Sequence, residues 1–171
     1  LKDMHDDLST RCGSTGSAWT NADVVYQVEI LDEMTLEVQL IAKAFAPATI
    51  NADGTSTVTL TLANANGVAL TTAGFTDALT NMAISAAGAA GGTCAGAAGN
   101  AFAAGQTALT ISNLTVPANG SCTVTFVVTS DRPETHNNAT SGVSSAQAPI
   151  GPVSNTATLT EQMRRRRKRA K

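Results

Sequence analysis

The chain has 171 residues, of which 43% are apolar, 14% charged and 4% aromatic, and a length of this size fits one domain with extensions. The net charge of −2 divides into −6 over residues 1–40, −3 over residues 41–163 and +7 over residues 164–171. Because no run of about 18 apolar residues occurs, the sequence excludes a predicted membrane-spanning helix, and we expect no membrane span.

Residues 1–35 form an acidic N-terminal extension, within which Val24–Leu31 is apolar enough for a strand. With the following segment, Leu36–Lys43, it could pair as a hairpin, although an amphipathic helix over residues 23–40 is the competing interpretation because Glu, Leu and Met favour helix. Leu1 is not an initiating Met and no signal peptide is visible, which predicts a processed protein or a fragment.

Two later segments alternate Thr or Ser with apolar residues. They are Thr55–Ala63 and Ser121–Ser130. Side chains on a strand point to opposite faces in turn, so a period of two places the apolar residues on one face and the Thr residues on the other. The β-branched residues favour extended structure over helix, and both segments are predicted strands.

Shorter strands are predicted between turn signals rich in Gly, Asn and Pro. They are Leu70–Asp77, Met82–Ala86, Thr107–Leu114 and Pro152–Thr160, with surface loops at Ala87–Gly105 and Asp131–Ile150. About seven strands at this spacing predict an all-β chain that folds as an immunoglobulin-like two-sheet sandwich. The predicted domains are therefore an extension over residues 1–35, a sandwich over residues 36–160 and a basic disordered tail over residues 161–171.

Three cysteines occur, at Cys12, Cys94 and Cys122. A disulfide between Cys94 and Cys122 would close a loop of roughly 28 residues and would indicate an oxidising compartment. The alternative is a pair of reduced buried thiols. Cys12 has no evident partner, so it is free, intermolecular, or paired with a segment outside this chain.

Several motifs in order resemble a known bacterial family. They are Phe45–Ile50, Gly54–Thr57, Phe75–Leu79, the Thr93-Cys94 and Gly120–Val124 cysteine segments, and Pro152–Thr160. Over residues 41–160 the chain resembles the conserved-repeat domain of prokaryotic cell-surface proteins, a domain of unknown function with an immunoglobulin-like fold. Thr80 departs from that pattern, where the family usually has Pro, and so does the stretch Asp131–Asn138. The resemblance implies a stalk or adhesin unit and does not imply an enzyme.

One set of residues could carry a self-directed reaction. Surface domains resembling this one can join a Lys in the first strand to an Asn in the last, with an acid assisting, and Lys43, Asn155 and Asp77 occupy such positions here. Burial would lower the pKa of Lys43 and leave a neutral amine nucleophile, while Asp77 polarises the amide. In the competing interpretation, Lys43 lies at the sheet edge, Asp77 caps a turn and Asn155 satisfies hydrogen bonds at the end of a strand.

Other chemistry finds little support in the sequence. Asp3, His5, Asp6 and Asp7 cluster without the spacing of a calcium loop, and a solvated acidic tail explains them better. No G-x-S-x-G elbow occurs, and His136 is expected to stand alone in an exposed loop. We therefore predict no enzyme, no metal site and no cofactor.

The C-terminal tail carries seven bases in eight residues. They are Arg164, Arg165, Arg166, Arg167, Lys168, Arg169 and Lys171. Such a block binds polyanions without sequence specificity, although a solvated disordered tail is the more economical interpretation. No stacking aromatics accompany it, so specific nucleic-acid recognition is not expected.

The sequence as a whole predicts a non-catalytic structural or adhesive module of an extracellular surface or filament protein, secreted or displayed on the cell. Its predicted partners are neighbouring copies or repeats, joined by strand addition through Val24–Leu31, and a host or matrix ligand. The alternative is a glycan- or polyanion-binding module that uses its loops or the basic tail.

Overall fold

A computed structural model describes residues 39–163 of the chain. Over this range the protein is essentially all-β, as the alternating pattern predicts. The strands are β1 (Gln39–Ala46), β2 (Thr49–Asn51), β3 (Thr55–Asn64), β4 (Leu70–Ala78), β5 (Ala83–Ile84), β6 (Gly88–Ala89), β7 (Gly91–Gly92), β8 (Ala101–Phe102), β9 (Ala108–Val116), β10 (Gly120–Thr129), β11 (Thr135–Asn138) and β12 (Ala157–Gln162). Seven of these strands contain four or more residues, but they include β11, which lies in a predicted loop, while the predicted strand Met82–Ala86 is reduced to the two residues of β5.

The first sheet is built around β3, which lies between β1 and β10, while β5 and β7 both pair with the far side of β10. Every second residue of β3 is buried and the residues between are partly exposed. Across the antiparallel pair, Val58 lies opposite Phe126 and Leu60 opposite Val124, so the buried residues of both strands share one face. This face forms one wall of the core, because removal of its apolar area from water stabilises the folded chain.

The opposite wall of the core comes from the second group of strands. β4 pairs with β9, and β11 and β2 pair with opposite sides of β12. Bridges at Asp77–Thr140 and Gly74–Ser144 join β4 to the segment that follows β11. The buried residues of β4 and β9 include Leu70, Phe75, Leu109 and Ile111, which belong to the same hydrophobic core as the face of β3 and β10. The arrangement is compatible with an immunoglobulin-like sandwich.

The two ends of the described domain pair with each other. After β1 the chain turns at Pro47, and β2 then pairs with the last strand, β12, in parallel register, with Ile50 opposite Glu161. Two main-chain hydrogen bonds flank this pair, from Thr160 N–H to Ala48 O at 2.9 Å and from Ala52 N–H to Gln162 O at 3.2 Å. The parallel pair therefore connects the N-terminal part of the domain to its last strand, while β1 itself is held by its ladder with β3.

Two predicted loops contain strands. The stretch Asp131–Ile150 includes β11, and the stretch Ala87–Gly105 includes β6, β7 and β8 together with a 3-10 turn at Ala97–Gly99. The last strand begins at Ala157 rather than at Pro152 and continues to Gln162, so the domain extends two residues beyond the predicted boundary. The predicted N-terminal strand and most of the basic tail lie outside the described residues.

Candidate functional site

The interior of the sandwich contains one ion pair, formed within residues 39–163 by Lys43 and Asp77. Lys43 enters from β1 in the first sheet and Asp77 from β4 in the second. The Lys43 ammonium donates to Asp77 Oδ2 in a very short contact, and both side chains are fully shielded from solvent. The two residues that the sequence hypothesis placed together therefore meet across the core.

Water exclusion changes the chemistry of the lysine. Burial lowers the pKa of Lys43 below its usual value, and the negative charge and hydrogen bond of Asp77 only partly oppose that effect. A lowered pKa increases the fraction of neutral amine, and the neutral amine is the nucleophilic form of lysine.

Asn155 also reaches Lys43, but it contacts the main chain rather than the ammonium. Lys43 N–H donates to Asn155 Oδ1 at 2.7 Å, and Asn155 Nδ2 donates to Lys43 O at 3.1 Å. The Asn155 side chain is exposed, whereas the Lys43 ammonium is buried. Since β1 is an outer strand of its sheet, these bonds occupy main-chain groups on its open edge. Occupied groups cannot pair with a strand of another molecule, so Asn155 protects this edge at Lys43. The cross-link between Lys43 and Asn155 stays a prediction, and these contacts count against it.

A disulfide joins Cys94 and Cys122, which are 28 residues apart in the sequence. Cys122 lies in β10, and Cys94 follows β7, the short strand that pairs with β10. Both residues are buried. The bond therefore fastens the segment 93–100 to the first sheet. Of the two states that the sequence left open, a disulfide or a pair of reduced thiols, the structure contains the disulfide. Cys12 lies outside the described residues.

We expect the double variant Cys94→Ala/Cys122→Ala to unfold more readily, with a free energy of unfolding lower by about 3–4 kcal/mol, because an unfolded chain without the 28-residue loop gains conformational entropy. Urea unfolding followed by circular dichroism measures the loss. Cys12→Ala is the matched control, since it removes a thiol and leaves this bond intact. Equal stability of the two variants would contradict the prediction.

His136 lies in a Ser–His–acid arrangement, which invites comparison with a catalytic triad. It is buried in β11 rather than exposed in a loop, so that expectation is wrong. Its Nε2 lies 2.9 Å from Ser130 Oγ and 3.1 Å from the carbonyl oxygen of Arg132, and its Nδ1 lies 3.8 Å from Glu134 Oε1.

The hydrogen bonds around His136 identify a structural role. The carbonyl of Arg132 can only accept, so His136 Nε2 carries the proton and donates. Ser130 Oγ accordingly donates elsewhere, to the carbonyl of Asn81 at 3.0 Å. A catalytic histidine would need Nε2 as the acceptor of the serine proton. The arrangement therefore fixes the turn between β10 and β11 and does not prepare a nucleophile.

No other site with evident chemistry emerges within residues 39–163. A cavity of about 530 Å³ opens beside the same turn, and its lining includes Asp53, Asn81, Asp131 and Arg132. In this range no three His, Cys, Asp or Glu side chains are grouped as metal ligands would be. No helix of the described part has the length and apolar character that crossing a membrane requires. The acidic cluster at residues 3–7 and the basic residues 164–171 lie outside the described range.

Sequence reasoning missed three buried polar residues near the ion pair: Asn138, Thr140 and Ser154. Thr140 N–H donates to Ser154 Oγ at 3.0 Å, and Asn138 Nδ2 donates to the carbonyl of Ala78 at 2.8 Å. Asn138 and Thr140 lie in the predicted loop Asp131–Ile150, whereas Ser154 lies in the predicted last strand, Pro152–Thr160. The usable signal was the period of two in residues 136, 138 and 140, which all face inward.

A family profile matches most of the described domain. The profile of a domain of unknown function, DUF7933, matches residues 40–160. No curated protein matches the chain. The family match covers the residues that carried the resemblance in the sequence, and it attaches no activity to them.

Similar solved structures share only a low likeness with this chain. One is the alkylpurine DNA glycosylase AlkC of Pseudomonas fluorescens bound to DNA with an abasic-site analog, with 13% identity and a TM-score of 0.36 over 74% of this chain and 30% of that chain. AvmM, which catalyses macrocyclization in alchivemycin A biosynthesis, gives 11% identity and 0.39 over 75% and 89%. The N-terminal domain of PorA gives 10% and 0.34 over 76% and 98%. The chain thus spans 30% of the glycosylase, and these likenesses decide nothing about function.

Proposed function

The chain belongs to the DUF7933 family, whose profile covers residues 40–160, and from this premise we propose that it is a non-catalytic structural module of an extracellular surface or filament protein. The resemblance to conserved-repeat domains of prokaryotic cell-surface proteins supports this proposal. The module would act as a rigid spacer that holds its two ends at a fixed distance.

The observation that carries the proposal is the pairing of the two domain ends. Tension along the parent chain would load the β1–β3 ladder and the parallel β2–β12 pair, so two sets of main-chain hydrogen bonds resist it. The buried disulfide is a second support, because disulfides persist mainly in oxidising environments such as the cell exterior. A spacer outside the cell needs both properties.

Adhesive assembly by strand addition belongs to the same proposal. Among the described strands, β1 pairs with β3 on one side only, and the side-chain amide of Asn155 covers its other side at Lys43. Edge strands accept further strands when their main-chain groups are open. The segment Val24–Leu31, which would supply the added strand, lies outside the described residues, so this part stays a prediction.

The alternative of a glycan-binding module gains no support from the described surface. Sugar sites usually present exposed aromatic rings, and all four phenylalanines are buried, namely Phe45, Phe75, Phe102 and Phe126. The large apolar side chains exposed within residues 39–163 are aliphatic, except for Met163. Polyanion binding would rest on residues 164–171, and retention on heparin that disappears on their deletion is the result that would favour it.

Surface display is the testable core of the proposal. Antibodies raised against residues 39–163 are expected to label intact, unpermeabilised cells that make the protein, and brief protease treatment of those cells should remove the signal. An antibody against a cytoplasmic protein is the control for cell integrity. Labelling that appears only after permeabilisation would overturn the proposal.

A further inference from the structure

The polar interior of the sandwich contains side-chain atoms that lack hydrogen-bond partners. Within the described residues four such buried atoms occur, and three of them lie on Asp77, Asn138 and Thr140. They are Asp77 Oδ1, Asn138 Oδ1 and Thr140 Oγ1. A buried polar atom without a partner destabilises a fold, so three at one place call for an explanation.

These residues face the same part of the core. Asp77 and Thr140 are direct antiparallel partners, and Asn138 precedes Thr140 by two residues, so its side chain points to the same side. The amide nitrogen of Asn138 donates to the carbonyl of Ala78, the residue after Asp77, at 2.8 Å. Lys43 meets Asp77 from the other sheet. Lys43 and Asn138 thus reach two consecutive residues, Asp77 and Ala78, and the side chains of Lys43, Asp77 and Asn138 are all buried away from water.

From this arrangement we propose that Lys43 and Asn138 become joined by an intramolecular isopeptide bond, with Asp77 carrying the proton. Asp77 accepts a proton from the Lys43 ammonium within the ion pair, and the neutral Nζ attacks Cγ of Asn138. The Nζ–Cγ bond forms, the Cγ–Nδ2 bond breaks, and Nδ2 leaves as ammonia after receiving a proton through Asp77. The net change is amine plus amide giving a substituted amide and ammonia, with no oxidant or cofactor.

The product accounts for two of the three unpartnered oxygens, those of Asp77 and Asn138. With the carboxyl of Asp77 left protonated, Oδ1–H donates to the carbonyl oxygen of the new amide, which was Asn138 Oδ1. The remaining N–H of the new amide donates to Asp77 Oδ2, which previously accepted from the ammonium. Two orphaned atoms thus gain partners, and a buried ion pair becomes a set of neutral groups.

Asn138 suits this reaction better than Asn155. The Asn138 side chain is buried together with Lys43 and Asp77, and its carbonyl oxygen is uncommitted in the described structure. The Asn155 amide is exposed, and both its oxygen and its nitrogen bind the main chain of Lys43. The reacting amide is therefore assigned to β11 and not to the segment before β12.

The bond also changes how the domain carries load, a consequence that rests on the proposed function. It connects β1 directly to β11, so tension that enters through β1 passes to β11 without loading the chain between residues 43 and 138. That chain includes β2, so the bond would relieve the β2–β12 pair of load, and it also includes β3, β4, β9 and β10, which form most of the core. The core would then stay folded under force.

Intact-mass spectrometry of the reduced 171-residue chain tests the proposal. We expect a mass about 17 Da below that of the sequence, the ammonia lost when an amine condenses with an amide. Lys43→Ala and Asn138→Ala should each restore the full mass, whereas Asn155→Ala, the matched control, should keep the loss. If the chain without substitutions has the full mass calculated from its sequence, the proposal is overturned. This measurement needs no variant, so a variant that fails to fold does not obscure the result.

Peptide mapping places the bond. A digest with a nonspecific protease should yield one branched peptide that contains Lys43 and Asn138. Succinimide formation at Asn66-Gly67 or Asn119-Gly120 also releases ammonia, so a loss found on either of those peptides overturns the proposal. A branched peptide that joins Lys43 to Asn155 overturns the assignment to Asn138. Each of these results leaves surface display of the module untouched.

Discussion

In the Asn138→Ala background, where Lys43 cannot form the proposed bond and keeps its ion pair with Asp77, replacement of Lys43 by Met is expected to lower the free energy of unfolding by about 3–5 kcal/mol. The change keeps an unbranched side chain of similar length but leaves the carboxylate of Asp77 buried without its cation, in a place where Asp77 Oδ1 already lacks a partner. An unpaired buried charge is much less stable than the same charge in water. The substitution therefore raises the free energy of the folded state relative to the unfolded state, in which the carboxylate is hydrated. Urea unfolding followed by far-UV circular dichroism measures the shift.

The double variant Lys43→Met/Asp77→Val separates charge from packing. It removes both charges and fills the space with apolar atoms, and replacement of a whole buried ion pair by apolar residues is often neutral or stabilising. Neither variant can form a bond through Lys43, so the difference between them reports on the isolated carboxylate. A double variant as unstable as Lys43→Met alone would contradict this account.

The two long strands that the sequence located within one residue of their observed bounds, β3 and β10, share one property, an alternation of small polar and apolar residues. In β3 the buried residues are every second one, as the Thr/Val/Leu pattern requires, and the observed strand exceeds the predicted one by a single residue. β10 follows the same rule. In such segments local preference and tertiary burial agree, so the pattern suffices.

The strand that sequence missed, β11, shows where the rule stops. Its residues are Thr135, His136, Asn137 and Asn138, none of them apolar, so a search for apolar alternation finds nothing. Tertiary partners decide its structure: His136 binds Ser130 and Arg132, and β12 supplies the ladder. The alternation is still present, but it separates buried polar from exposed polar residues.

The residues of the candidate site also differ in whether the sequence could reveal them. The resemblance to cross-linked surface domains, and not the alternation, is what proposes Lys43 and Asp77, and the structure brings these two side chains together in the core. Asn138 could not be proposed, since its segment carried no predicted strand and thus no inward face. Asn155, the partner that the resemblance implies, lies before β12, and its hydrogen bonds to the main chain of Lys43 place it at the sheet edge.

Truncation of the central core should have a similarly large effect. Leu60→Ala is expected to lower the free energy of unfolding by about 2–5 kcal/mol, because it removes three carbon atoms from a fully buried side chain and leaves a cavity. Leu60 lies in the middle of β3, with Lys43 on one neighbouring strand and Val124 on the other. Both sides therefore limit how far the surroundings can collapse into the space. Urea unfolding of the full chain measures the loss.

Two valines on adjacent strands supply the matched control for this core. Val58 of β3 is fully buried, whereas Val127 of β10 is 41% exposed on the opposite face of the same sheet. The change to Ala is chemically the same at both sites, but only at Val58 does it remove apolar surface that folding hides from water, so Val58→Ala should lose roughly 2 kcal/mol and Val127→Ala much less. Equal losses at the two positions would mean that the alternation does not divide core from surface, and the two-layer arrangement on which the buried Lys43–Asp77 pair depends would fail with it.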